Sequence, residues 1–204
     1  MLMEKFERYI YESIKQSLTT IEEDVADRIY VVSFFIYDLD DDPRTPTLTF
    51  GYNTVDRWSE CTPAAGAKAL WPVASDSSEA KWNYAFWLQN EVCVIGAAGT
   101  EGATLREQWI KSLALVYSDD EEREDFVRCM RLGAHITERF VALCVGVSKA
   151  LHDDGSVTGK FGRPVPIIVH ELEYYDQIAE QTRRANPPGL TSEFEDWVRG
   201  LGDR

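Results

Sequence analysis

The chain has 204 residues, of which 35 are acidic and 21 basic, so its formal net charge is −14 at pH 7. A field of this sign repels phosphate, which argues against nucleic-acid binding. It would attract a basic protein partner, but the same charge is also explained by its effect on solubility alone. Hydrophobic residues make up 44% of the chain and charged residues 27%, as in globular proteins and unlike disordered ones.

The first quarter of the chain predicts a long helix followed by a β-hairpin. Apolar residues recur every three or four positions over residues 3–27, which predicts one amphipathic helix. A continuous β-branched and aromatic run over residues 30–37 predicts a central strand. Apolar and small residues alternate over residues 47–52, which predicts a half-buried strand. The aspartate-rich turn between the strands, residues 38–46, indicates that they pair antiparallel.

The next segment predicts a loop, a short helix and a short strand. Residues 61–79 contain prolines, a glycine and serines, but Leu70 and Trp71 are too apolar for a free linker, so we expect a packed loop. Residues 79–89 are rich in aromatic side chains and predict a short, largely buried helix. Residues 92–95 predict a short strand.

Two further helices are predicted over residues 102–117 and 119–151. Ser118 and Glu121 have the spacing of a capping box at the start of the second helix. The second half of that helix is apolar on nearly every side, so we expect it to be the buried spine of the fold. Its predicted core stripe comprises Phe126, Met130, Gly133, Thr137, Phe140, Cys144, Val147 and Leu151.

The last quarter predicts a turn over residues 155–162, a strand over 165–169, a helix over 174–185 and a final helix from Ser192. Together these elements predict a single α+β domain that covers the whole chain. We expect a small, mostly antiparallel β-sheet packed against several α-helices, one of them long and buried.

The chain lacks the spacing of known catalytic, cofactor-binding and metal-binding motifs. Gly96, Gly99 and Gly102 follow a predicted strand, but G-x-x-G-x-x-G is not the dinucleotide-binding G-x-G-x-x-G pattern. The three histidines and four cysteines have no zinc-ligand spacing. No apolar run approaches the roughly 18 residues of a membrane span, and the N-terminus lacks a signal-peptide core. We expect a reduced, cytoplasmic protein without cofactors, metals or membrane association.

Two clusters of acidic residues are the predicted partner-binding surface. A calcium loop is disfavoured for the first cluster because Pro43 interrupts it and a closing glutamate is missing. The second cluster begins a helix, where the helix dipole stabilises negative charge without any partner. The residues predicted to contact a basic partner are Asp40, Asp41, Asp42, Asp119, Asp120, Glu121 and Glu122.

An alternative prediction is an enzyme or a small-molecule-binding protein with a pocket formed by Trp82, Trp87, His135 and His170. Aromatic side chains at helical spacing are also typical of a protein core, and His170 could simply be a structural residue. Arg128, Arg131, His135 and Arg139 share one face of the long predicted helix. That face could bind an anion or form ion pairs with nearby acidic residues. A self-associating structural protein is a third possibility.

Two segments, residues 79–90 (EAKWNYAFWLQN) and 162–176 (GRPVPIIVHELEYYD), together with the opening helix and hairpin, resemble the bacterial domain-of-unknown-function family 4303. That family has no established catalytic residues, so the resemblance implies none here. Its members are similar to immunity or antitoxin proteins. The resemblance therefore implies a protein that binds and neutralises a partner, such as a basic toxin.

Overall fold

The computed structural model describes residues 2–64 and 71–201. Within them, ten helices pack against a four-stranded sheet, which confirms the predicted α+β class. The helices are α1 (Leu2–Thr20), α2 (Glu23–Ala26), α3 (Val55–Cys61), α4 (Ser77–Trp82), α5 (Glu101–Ser112), α6 (Asp119–Glu124), α7 (Phe126–Asp153), α8 (Ser156–Phe161), α9 (Asp176–Ala185) and α10 (Ser192–Arg199). The strands are β1 (Ile29–Asp38), β2 (Pro46–Thr54), β3 (Cys93–Ile95) and β4 (Ile167–His170).

The sheet has the strand order β3-β2-β1-β4. The predicted hairpin forms, with β1 and β2 antiparallel and Phe34 opposite Phe50, and β3 pairs antiparallel with the outer side of β2. β4 pairs parallel with β1, with Phe35 opposite His170, so the sheet is mixed although two of its three pairings are antiparallel. Because β1 and β4 run in the same direction, their carboxyl ends meet at one edge of the sheet.

The sheet separates two apolar layers because alternate residues of β1 face opposite sides. Val32, Phe34 and Ile36 contribute to the larger layer, together with side chains from α1, α5 and α7. Val31 and, from β4, Ile168 face the smaller layer, which also contains side chains from α4, α9 and α10. The prediction that β2 is half-buried is wrong, since its polar-side residues are buried as well. Leu88 donates its backbone N–H to Asn53 Oδ1, so the chain crosses that face of β2.

The predicted helix over 119–151 is two helices, because Asp125 has non-helical backbone angles (φ −140°, ψ 73°) between α6 and α7. The Asp125 carboxylate accepts a hydrogen bond from the Arg128 backbone N–H and caps α7. The predicted capping box at the start of α6 is confirmed, with reciprocal hydrogen bonds between Ser118 and Glu121.

The predicted core stripe of α7 is confirmed only from Gly133 onward. Phe140, Cys144 and Leu151 are fully buried, whereas Phe126 is 63% and Met130 55% exposed. Periodicity identifies the apolar side of a helix, but burial also requires a second element to cover it. The first turns of α7 bury a different side, on which Cys129 lies.

Other predicted boundaries also need correction. The opening helix ends at Thr20, and α2 is a separate turn of helix; the helix predicted over 102–117 ends at Ser112. The helix predicted over 79–89 is α4 followed by a 3-10 turn at Tyr84–Phe86. Residues 155–162 form the helix α8 between two glycines of positive φ, where we had predicted a turn. In the predicted loop over 61–79, residues 65–70, and so Leu70, lie outside the described residues, and Trp71 is half exposed.

None of the helices in the described parts of the chain has both the length and the apolar character needed to cross a membrane.

Gly133 allows α7 to approach the hairpin between β1 and β2. A Cβ atom at this position would lie 2.6 Å from Cγ of Pro43 and 3.3 Å from Oη of Tyr117. A proline ring cannot move aside without moving its backbone. The absence of a side chain at Gly133 is therefore what lets the hairpin tip rest on the helix.

We expect Gly133→Ala to lower the free energy of unfolding by about 1–2 kcal/mol. Overpacking costs about 1–3 kcal/mol, and the better helix propensity of alanine returns up to about 1 kcal/mol. Gly146→Ala is the matched control in the same helix, because its Cβ would lie 3.6 Å from Glu7 Oε1, an ordinary contact distance. Urea unfolding should show the control to be unchanged or more stable, and equal stabilities of the two variants would contradict the close approach.

Candidate functional site

The tip of the β1–β2 hairpin presents two aspartates on a strained backbone. Asp40 and Asp41 both have φ of 57°, in the left-handed region that residues other than glycine seldom adopt. Aspartate tolerates this region better than most residues. Thr45 closes the turn, donating its backbone N–H to the Asp42 carbonyl at 2.8 Å. Both strained aspartates are exposed, so their carboxylates project into solvent.

Arg44 joins the two predicted acidic clusters. Its Nε lies 2.8 Å from Asp42 Oδ1 and its Nη2 lies 2.7 Å from Asp42 Oδ2, while its Nη1 lies 2.7 Å from Asp119 Oδ1. The guanidinium carbon is 5.0 Å from the ring centre of Tyr117. Burial would raise the pKa of Asp42, but the hydrogen bonds and charge of Arg44 outweigh it and hold that pKa below its ordinary value.

The seven predicted partner-binding residues fall into two groups. Asp42, Asp119, Asp120 and Glu121 form ion pairs within the protein, with Arg44, Arg123 or Arg128. The side chains of Asp40, Asp41 and Glu122 make no hydrogen bond or ion pair with any residue that the structure describes. Within the first group, the pairs of Arg44 join the hairpin to α6, and the Glu121 pair joins α6 to α7. The bond of Arg128 with Glu121, at 3.5 Å, also supports the ion-pair interpretation of the basic face for that residue.

A cleft of about 440 Å³ opens on the other side of the hairpin tip. It lies beyond the carboxyl ends of β1 and β4, and four carboxylates line it, those of Asp38, Asp41, Glu171 and Glu173. Its apolar lining includes Leu172, which is 66% exposed. Among the described residues that line the cleft, there is no lysine, arginine or histidine.

The carboxylates of this cleft lack compensating charge. Burial raises the pKa of Asp38 to about 6, against a smaller opposing effect of the hydrogen bond from Thr137, and the negative charge of Glu171 adds to the rise. Oδ1 of Asp38 is buried and has no hydrogen-bond partner among the described residues. Burial likewise raises the pKa of Glu171, although the Tyr175 hydroxyl donates to it at 3.3 Å. A cation in the cleft would favour the ionised form of both groups.

Asp38, Glu171 and Glu173 were not among the residues predicted from the sequence. The parallel pairing of β1 with β4 brings them together, since Asp38 ends β1 and Glu171 follows β4. Crevices at the carboxyl ends of adjacent parallel strands are common binding sites. The acidic residues after each predicted strand were visible, but the pairing of two strands so far apart in sequence was not.

The residues of the alternative predicted pocket do not come together as one site. Trp82 and Trp87 are 4% and 2% exposed and belong to the smaller apolar layer. His170 is completely buried on the same side of the sheet. His135 lies on the exposed side of α7, beyond the opposite face of the sheet, where it lines a shallow cavity with Leu115.

His170 has all of its hydrogen bonds satisfied within the core. Its Nδ1 lies 3.0 Å from the carbonyl of Glu171, which can only accept, so Nδ1 carries the proton. Nε2 then accepts from the Ser33 hydroxyl at 2.8 Å. Aromatic rings surround the imidazole, the nearest of them Tyr84, with ring centres 4.8 Å apart. Burial lowers the pKa of His170 to about 4, so the ring is neutral at physiological pH.

No group of three or more histidine, cysteine, aspartate or glutamate side chains within the described residues has the geometry of a metal site. Of the four cysteines, Cys61, Cys129 and Cys144 are buried, and burial raises the pKa of each thiol. A buried thiol of raised pKa is a poor nucleophile.

We expect His170 to make the protein less stable as the pH falls from 7.5 to 5. The unfolded chain takes up a proton near pH 6.5, whereas the folded protein does so only near pH 4. Acidification through that window therefore lowers the free energy of unfolding, by about 2 kcal/mol at pH 5. The raised pKa values of Asp38 and Glu171 act in the opposite direction, so the measurement is the difference between the wild type and His170→Gln.

Urea unfolding at several pH values gives this difference. The His170→Gln variant should be less stable than the wild type at pH 7.5 and should lose less stability on acidification. His135→Gln removes an exposed histidine and is the matched control. Parallel pH profiles for the wild type and His170→Gln would contradict a buried, neutral imidazole.

Comparisons with protein-family models, with curated proteins and with solved structures find no match to this chain. The resemblance of residues 79–90 and 162–176 to a bacterial family therefore stays a prediction, and the geometry of the acidic cleft and hairpin tip carries the functional argument.

Proposed function

We propose that this protein is a cytoplasmic, non-enzymatic binding protein of the immunity or antitoxin type, which holds a basic protein partner against its acidic surface. We define the acidic surface as the hairpin tip (residues 38–44), α6, and the carboxylates of Glu171 and Glu173. The observation that carries the proposal is the pair of salt bridges from Arg44 to Asp42 and Asp119, which joins two acidic segments into one surface.

The charges of the acidic surface support a role in recognition. Asp40, Asp41 and Glu122 have no internal counter-ion among the described residues, and Asp38 and Glu171 have raised pKa values. Such crowding costs folding free energy, which a cationic partner would recover. A surface of one sign also accelerates encounter with a partner of the opposite sign. The family resemblance implies the same class of role.

Neutralising the three unpaired carboxylates should weaken partner binding. The variant Asp40→Asn/Asp41→Asn/Glu122→Gln changes the formal net charge by three, from −14 to −11. Asparagine tolerates the left-handed backbone of the hairpin tip as well as aspartate does, so the fold should persist. Losing three charge contacts should weaken binding at least about tenfold and make it less sensitive to salt.

The control variant Glu12→Gln/Glu22→Gln/Asp27→Asn reaches the same net charge by changing exposed residues outside the acidic surface. Each protein is immobilised and exposed to an extract of the native cells, once at low salt and once at about 0.5 M salt, where exposed charges are screened. The wild type and control should retain a basic protein that the triple variant loses. Co-production of the wild type or the control with that protein should relieve its toxicity, and co-production of the triple variant should not. Equal retention by all three proteins would contradict the assigned surface.

A second candidate function is the recognition of a small organic cation in the cleft, as a ligand or a substrate. The buried Oδ1 of Asp38, which has no hydrogen-bond partner in the described parts of the chain, and the raised pKa of that carboxyl favour it. A linear polyamine is a suitable probe, because its ammonium groups could meet Asp38, Glu171 and Glu173 together.

A polyamine bound in the cleft should raise the melting temperature, since a ligand at about 100 times its Kd adds about 2.7 kcal/mol to stability. Asp38→Asn should remove that increase. Equal increases for the wild type and Asp38→Asn would show that the polyamine acts on the surface in general and would overturn this candidate.

A further inference from the structure

The start of α7 exposes three large apolar side chains side by side. Phe126 is 63%, Val127 52% and Met130 55% exposed. Residues three or four apart are neighbours on a helix surface, so Met130 lies beside both Phe126 and Val127. We call Phe126, Val127 and Met130 the α7 apolar face. Contiguous exposed apolar patches on soluble proteins mark interaction sites more often than isolated exposed residues do.

Other residues of α7 fix the position of this face. Asp125 caps the helix through the Arg128 backbone N–H, at 3.0 Å. Cys129, in the same turn, is fully buried, and Gly133 rests against Pro43 one turn later. The face is therefore held in place by a folded helix, and the three apolar side chains contribute little to the core that holds it.

Negative charge borders the face on one side. Residues 119–125 contain six acidic residues and one arginine, and they lead directly into Phe126. Glu122 and Glu124 make no side-chain ion pair with any described residue. Arg131, which likewise has no partner among the described residues, follows Met130. An occupant that matches this border has an apolar stripe with basic residues along one margin.

We propose that the α7 apolar face docks an amphipathic helix of the partner, with the basic margin of that helix against α6. This inference rests on the proposed function and specifies where and how the basic partner binds. A second copy of the chain is a poor occupant, because it carries the same net charge of −14 and would set two α6 helices against each other. Apolar anchors beside complementary charge are the usual arrangement of an interface centre and rim.

Three fluorescent peptides test the proposal by their anisotropy on titration with the intact protein. Each has about 14 residues, roughly four helical turns. The first has leucines at helical spacing and lysines elsewhere, the second has glutamine in place of leucine, and the third has glutamate in place of lysine. We expect the first to bind at least about tenfold more tightly than either of the others.

The variant Phe126→Ser/Met130→Ser should weaken binding of the lysine–leucine peptide about tenfold or more, and leave the weaker binding of the lysine–glutamine peptide unchanged. The matched control, Val73→Ser/Leu88→Ser, removes two residues that are 40% and 43% exposed in the segment between α3 and β3. It should bind all three peptides as the wild type does.

The outcomes separate this inference from the proposed function. If both lysine peptides bind equally, and the serine substitutions change neither, the docking face is overturned while charge recognition stands. If neither lysine peptide binds, the proposed function itself fails. If the glutamate peptide binds as tightly as the lysine–leucine peptide, the occupant is not selected by charge and the proposal is overturned. The protein alone is also examined by sedimentation. If it forms a dimer that Phe126→Ser/Met130→Ser dissociates, the α7 apolar face binds a second copy and the proposal is overturned.

Discussion

The acidic surface depends on the way in which the β1–β2 hairpin tip is held against α6 and α7. Arg44 binds Asp42 with two hydrogen bonds and reaches Asp119 with a third nitrogen, while Pro43 rests on the gap left by Gly133. The side chains of Arg44 and Asp42 are only 26% and 27% exposed, so this two-bonded pair is stronger than an ion pair in open solvent. Without the arginine, the two acidic segments would repel each other and the surface would separate.

The concentration of negative charge on the acidic surface lowers the stability of the fold. Two aspartates occupy left-handed backbone, and the carboxyl of Asp38 is partly buried beside Glu171, with no basic residue among the described residues that line the cleft. A sequence selected for stability alone would place glycine or asparagine at the tip and a polar amide in the cleft. Residues that oppose folding in this way are typical of sites that act on another molecule.

Local patterns in the sequence predicted most of the helices and strands, but tertiary contacts determine which of their faces are buried and which strands pair. Residues 30–37 and 47–52 gave the hairpin because strand periodicity is a local property, and the apolar helix was identified from Gly133 onward. The break at Asp125 carries neither glycine nor proline, and its aspartate, although a typical N-cap residue, lies inside a helical pattern that continues across it. The same break leaves Phe126 and Met130 exposed, although their spacing matches the core stripe. The cleft was missed because it needs the parallel pairing of β1 with β4, which no local pattern encodes.

That pairing has a consequence for synthesis of the chain. Val32 in the centre of β1 is paired with Ile167, which lies 135 positions later in the chain. At about 5–20 residues per second, a ribosome needs on the order of 10 s to deliver the second strand after the first. During that interval the hairpin has an unpaired edge rich in valine, phenylalanine and isoleucine, a shape that invites aggregation. Until β4 arrives, only the protein's own helices or another molecule can cover that edge.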